Sequence, residues 1–184
     1  EVKTVSEGAY DARTRAIANA NAALPVSGSV IIVNPALVPS IPRKLLTLSI
    51  MPRGLGLDLG QSLVMNLSGS FILPIKKGNV IKTESGLGFA VNTLLVNNES
   101  LASYTEVKLA IAYGIRIIKQ VSVGFTVLGQ YFTMSPSDPA ELPPYFNPVP
   151  TPNLNLGLHY APYEQVSIGL VGMMTFWLGM MRVL

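Results

Sequence analysis

One histidine, His159, and no cysteine stand among 10 acidic and 13 basic side chains in this 184-residue sequence. Without thiols there is no disulfide, redox pair or thiolate metal site, and no group of His and carboxylates has metal-ligand spacing. Gly54, Gly56 and Gly60 punctuate a glycine-rich stretch, but it follows a proline and precedes a strand pattern, which is the wrong setting for a dinucleotide loop. Neither Gly-x-Ser-x-Gly nor a phosphate loop occurs. His159 shares the polar side of an alternating segment with Asn153 and Asn155, where a lone imidazole reads as a hydrogen-bonded lining residue. The chain is therefore expected to be neither an enzyme nor a cofactor protein. A net charge of +3 with no dense basic run also argues against nucleic acid. What remains is a set of polar residues that recur on one face of successive segments: Lys82, Glu84, Asn92, Glu106, Lys108, Arg116 and His159.

Those residues are placed by period-two alternation, the mark of a strand with two chemically different faces. From Gln61 to Ile75 the odd positions carry Leu63, Met65, Leu67, Phe71, Leu73 and Ile75; the even ones carry Ser62, Asn66, Ser68 and Ser70 among others. From Ile81 to Leu95 the odd face holds Leu87, Phe89 and Val91, opposed by Glu84, Gly86, Gly88, Ala90 and Asn92. Thr105 to Ile117 repeats the scheme, Val121 to Thr133 and Leu154 to Tyr160 follow it, and Lys44 to Met51 is a weaker first member. Only 12% of residues are charged, against about 25% in ordinary soluble domains. The polar face is mostly Gly, Ala, Ser and Asn, which suits a narrow interior, and the bulky face suits lipid. The expected fold is all-β: an antiparallel up-and-down transmembrane β-barrel of about eight strands, or part of a larger barrel. The Val166 to Met181 run is free of charge but interrupted by glycines, and its alternation favours a strand over a single membrane helix.

Connections support an up-and-down order. Lys76 to Gly78, Ile118 to Gln120 and Ala161 to Gln165 read as short; Pro52 to Gly60, Asn97 to Ser103 and Ser135 to Pro152 read as longer, as expected for trimmed periplasmic and elaborated external ends. The last of these runs through a stretch with seven prolines, stiff and external, in which Tyr145 and Phe146 are contact candidates. Between the third and fourth strands, pairing Gly88 with Ala112 sets Glu84 against Arg116, whereas a shift by two sets Lys82 against Arg116. The first pairing is expected. Seven strands follow Arg43, and the β-branched run Val30 to Val33 is the leading candidate for an eighth.

Ahead of the strands, residues 1–42 form a separate hatch-like segment, and 43–184 the barrel. Asp11 can cap a short helix that Pro25 ends near Ala23. Arg15-Ala16-Ile17-Ala18, Asn21-Ala22-Ala23-Leu24, Ser27-Gly28-Ser29 and Asn34-Pro35-Ala36-Leu37 together resemble the N-terminal region of the FadL-like and PorV-like outer-membrane proteins. The resemblance covers about 30 residues; Asn19 and Asn21 replace its usual glycines, and the chain is far shorter than a fourteen-stranded member. It implies a hatch in the barrel and passage of hydrophobic molecules, or a scaffold role in export. A channel or transporter for hydrophobic or small solutes in the outer membrane of a Gram-negative-type bacterium is thus expected. The alternative is a structural or self-assembling barrel that meets other envelope proteins or copies of itself. An eight-stranded interior is about filled by its own side chains, so little room for a plug is expected.

Overall fold

The computed structural model describes residue 23 and residues 27–53, 62–76, 84–98, 102–136, 151–163 and 166–175. Strands β1 (Leu45–Arg53), β2 (Ser62–Lys76), β3 (Glu84–Asn98), β4 (Ala102–Ile118), β5 (Val121–Pro136), β6 (Thr151–Tyr163) and β7 (Val166–Thr175) form one antiparallel sheet in sequence order. Each strand pairs with its neighbours in the chain, and β1 and β7 do not pair with each other among the described residues. The fold is all-β and up-and-down, as the alternation indicates, and the sheet is open. No helix among the described residues is long and apolar enough to cross a membrane.

The two faces separate by residue parity. Leu48 on β1 is 75% exposed and Ile111 on β4 is 55% exposed, and Phe71, Phe89, Leu109, Phe125 and Val127 lie on the same outward side. The other side carries Asn66, Asn92, Glu106, Lys108, Ala112, Thr126 and Asn155, all buried. Large apolar groups thus face out and charged ones face in, the reverse of a sheet that packs its apolar side on a core. The expected β3–β4 register is the observed one: Gly88 pairs with Ala112, Ala90 with Ala110 and Asn92 with Lys108. Arg116 Nη1 donates to Glu84 Oε2 one step beyond.

Before β1, residues 27–41 run along the inner side of the sheet. A single helical turn, α1 (Val30–Val33), is followed by a 3-10 helix (Pro35–Ser40), and the latter touches every strand from β2 to β6. Five strands laid flat span about 19 Å, four steps of 4.7–4.9 Å. A six-residue helix reaches all five only because the sheet curls around it. Val30, Ile31, Leu37 and Val38 pack there with Ile72, Ala110, Ala112 and Leu128 to make the hydrophobic core.

Three expectations are corrected here. Val30 to Val33 is not an eighth strand: inside the curl both sides of every inner strand are already paired, so an extended segment would find no edge for its N–H and C=O groups. The helical turn satisfies its own, with Val33 N donating to Ser29 O and Asn34 N to Val30 O, and burial overrides the strand preference of β-branched residues. Nor is the interior too full for an insert, because glycines line the path of residues 31–39. The regular alternation of loop lengths also breaks, because no more than residues 99–101 separate β3 from β4, where a longer loop is expected. Side-chain polarity misplaces those strand ends, since the ladder is made by backbone and continues through Asn97 and Asn98 on β3. The short connections, 119–120 between β4 and β5 and no more than 164–165 between β6 and β7, follow the expectation; residues 54–61 and 137–150 lie outside the described residues. The helix expected to start at Asp11 lies outside the described residues, as do Lys82, Tyr145 and Phe146.

Candidate functional site

Ladder pairing stacks the inward residues in rows that cross the strands, and each row has its own chemistry. At the end with the tight turn of Lys119 and Gln120, Arg116, Ser122, His159 and Gly169 lie in line across β4 to β7. The next row is Gly86, Gly114, Gly124 and Gly157 on β3 to β6, directly opposite one another. Gly88, Ala112, Thr126 and Asn155 come next, then Ala90, Ala110, Leu128 and Asn153. Asn92, Lys108, Gln130 and Thr151 make the last of these, a polar belt.

The glycine row is the seat of Asn34-Pro35-Ala36. A Cβ on Gly114 would meet Pro35 O at 2.5 Å, and one on Gly124 would meet Pro35 C at 2.5 Å and Ala36 N at 2.7 Å. On Gly157 it would overlap Asn34 Oδ1. The motif itself follows helix-start chemistry: Asn34 is extended, its Oδ1 accepts from Ala36 N at 3.1 Å, and Pro35 supplies the first helical residue, which needs no N–H. Asn34 Nδ2 reaches Leu158 O at 3.4 Å on β6. The motif holds the chain inside the curl for the length of the 3-10 helix.

Hydrogen bonds fix the rest of the insert mainly to β5 and β6. Thr126 Oγ1 donates to Ile31 O, and Asn155 Nδ2 donates to Ile32 O at 2.9 Å. At the tight-turn end Arg116 Nη2 donates to Ser40 Oγ at 3.3 Å while its other nitrogen holds Glu84, so one guanidinium links insert, β4 and β3. Fork-shaped donors suit such two-partner contacts. On β7, Ser167 Oγ donates to Ala23 O at 3.1 Å.

Toward the opposite end lies the charged cluster. Glu106 is 1% exposed, and its Oε1 accepts from Lys108 Nζ at 3.0 Å and from Gln130 Nε2 at 2.8 Å. Its Oε2 accepts from Tyr104 OH at 3.1 Å, and Tyr104 stacks on Phe132 with ring centres 6.4 Å apart. Asn92 Nδ2 donates to Asn66 Oδ1 at 2.9 Å beside it. A carboxylate so enclosed holds its charge only while its donors stay in place.

Of the lining residues expected from sequence, Asn92, Glu106 and Lys108 therefore meet in one cluster, Glu84 and Arg116 in another, and His159 stands two strands from Arg116 in the same row. Asn155 was placed with Asn153 on the polar side of its segment; the glycine row, Tyr104, Thr126 and Gln130 were not singled out by sequence reasoning. Each sits on the inward parity, so extending the β3–β4 register argument across β5 and β6 would have aligned them. No group of three or more His, Asp or Glu among the described residues is placed to hold a metal ion. In chemical terms the site is a gripped peptide segment over a smooth glycine floor, bounded by a charged network at either end. Comparison of the chain with family models, curated proteins and solved structures finds no match.

Proposed function

We propose that this chain forms hatch-bearing wall of an outer-membrane β-barrel that passes small or hydrophobic solutes, with segment 27–41 as the hatch in its lumen. The observation that carries the reading is the inverted sheet: bulky apolar residues such as Leu48 and Ile111 outward, Glu106 and Lys108 buried inward. A sheet in water buries its apolar side; a sheet in hydrocarbon shows it to lipid and keeps polar groups toward the lumen. Seating a peptide over the glycine row gives a barrier that can be withdrawn without unravelling a strand. The Asn34-Pro35-Ala36 resemblance to FadL-like and PorV-like proteins points the same way.

Two measurements test this. Ile111→Arg is expected to cost about 2–4 kcal/mol in a bilayer if this outward residue faces the lipid midplane. In water the same exposed substitution should change stability by only about 0.5 kcal/mol in either direction. Urea unfolding of the chain folded into liposomes reads the difference, and a neutral Ile111→Arg removes the membrane reading. Flux of small and of apolar solutes into proteoliposomes then tests transport: entry above protein-free vesicles is expected, and its absence removes the channel.

A second reading, a scaffold barrel that meets envelope proteins or its own copies, draws on the insert itself, which is packed against β2 to β6 on the inner side of the sheet. A discrete oligomer in mild detergent together with no solute entry would favour it.

A further inference from the structure

On the outward side of the sheet, away from the insert, a groove of about 680 Å³ crosses the strands from β1 to β5. It runs between two ladder rows. Phe71, Phe89 and Ile111 follow one another along one bank, and Gly69, Val91, Leu109 and Gly129 along the other. Four steps between strands make it about 19 Å long, and rows two residues apart set its banks about 7 Å from each other. Its bed is main chain: Ser70, Ala90 and Ala110 line it, yet their side chains have inward parity.

That bed has nothing to offer a polar ligand. Ser70 pairs with Thr47 and Ala90, Ala90 with Ala110, and Ala110 with Leu128, so the ladder on both sides takes up the backbone N–H and C=O groups. The banks are aliphatic and aromatic, and Leu109 between them is 59% exposed. Leu109 and Ile111 stand near the middle of β4, so a lipid head kept at either rim is out of reach and only a tail can enter. Strands of a membrane barrel tilt by about 35–45°, so a groove square to them slopes through the hydrocarbon and lies open to a tail from one leaflet. Left unfilled, it would forfeit dispersion contacts along both banks.

We infer that the groove seats the acyl chain of a bilayer lipid, a straight tail lying between the two rows against Phe89, Val91 and Leu109 with its head at the membrane surface. What it recognises is the shape of the tail, since banks so close leave no room for a branch. The inference rests on the membrane reading, which it deepens by naming the partner of the outward face.

The test folds the full chain into liposomes that carry one of two photoreactive lipids, alike in head and tail length, each with a diazirine near the tail end, one tail straight and the other methyl-branched. Mass spectrometry maps the labels. At Val91 and Leu109 the straight tail is expected to label about threefold more than the branched one, the return on a handful of added carbon–carbon contacts. At Leu156, outward on β6 and outside the groove, the two should label alike. In Gly69→Val/Gly129→Val the preference falls to none at all three. The added Cβ of Gly129 meets nothing within 4 Å and that of Gly69 only the Leu48 and Val91 side chains at 3.4 Å, so both valines enter the groove without moving backbone. Gly129→Val alone is the second variant and should lower the preference at Leu109, its ladder neighbour, more than at Val91. Equal labelling by the two tails in the native chain, or a preference that survives both variants, overturns the groove. Even labelling of every outward row by both tails does so while keeping the membrane reading, whereas outward rows left unlabelled by either tail remove that reading and the groove with it.

Discussion

Gly124→Val is expected to lift the Asn34-Pro35-Ala36 turn off the sheet and to destabilise the chain by about 3 kcal/mol, the upper range for overfilling a packed interior. The atoms in the way are backbone, Pro35 C and O and Ala36 N, between 2.5 and 2.7 Å from the added Cβ. A side chain could rotate aside, but a peptide unit buried between strands and closed by its own Asn34 cap cannot. Gly114→Val meets the same carbonyl from β4, and the double substitution should remove the insert from its seat altogether. Gly129→Val is the control, since nothing lies within 4 Å of its added Cβ on the outward face and valine suits a strand. Urea unfolding gives the energies, and protease cleavage within residues 27–41 reports displacement. Stability and protection equal to the native chain in Gly124→Val would show that the turn is not seated on this row. In liposomes the same variant should admit solute faster, because what it displaces is the proposed hatch.

Glu106→Ala is expected to cost about 3–5 kcal/mol, as removing one partner of a buried ion pair does. The loss exceeds one hydrogen bond because Lys108, 6% exposed, keeps its charge in a place where its carboxylate is gone. Tyr104 and Gln130 lose their acceptor as well. Glu106→Leu combined with Lys108→Met should recover most of the stability, since an apolar pair of similar volume avoids the desolvation that the ions incur. The sign of the coupling in the double-mutant cycle decides: if the two substitutions simply add, the pair is not interacting as described.

These two expectations differ in how far they could be read from sequence. Glu106 and Lys108 announce themselves, because charges that alternate with Val107 and Leu109 have only one face to occupy. The β3–β4 register was likewise readable, since like charges would oppose one another in the nearest alternative. The glycine row was not, although every member is visible in the sequence. Gly86 and Gly114 fall opposite each other in that same β3–β4 register, but Gly124 and Gly157 join them only when two further registers hold as well. Val30 to Val33 misled for a different reason: four β-branched residues express a local preference, while their conformation was decided by the absence of a free edge around them. The ends of β3 were misplaced because Asn97 and Asn98 look like loop residues, yet their main chain pairs with Ser103 and Ala102.

A last consequence follows from the order of the sheet. Seven antiparallel strands in sequence leave β1 and β7 pointing in the same direction. Such rims cannot zip together, nor join an identical sheet set beside them in the same orientation, without a parallel seam in an otherwise antiparallel ladder. Adding whole hairpins preserves the mismatch however many are added, whereas one strand, or any odd number, resolves it. Among the described residues the open sheet therefore acts as a parity filter on whatever completes it: a completing segment must cross an odd number of times and end on the far side.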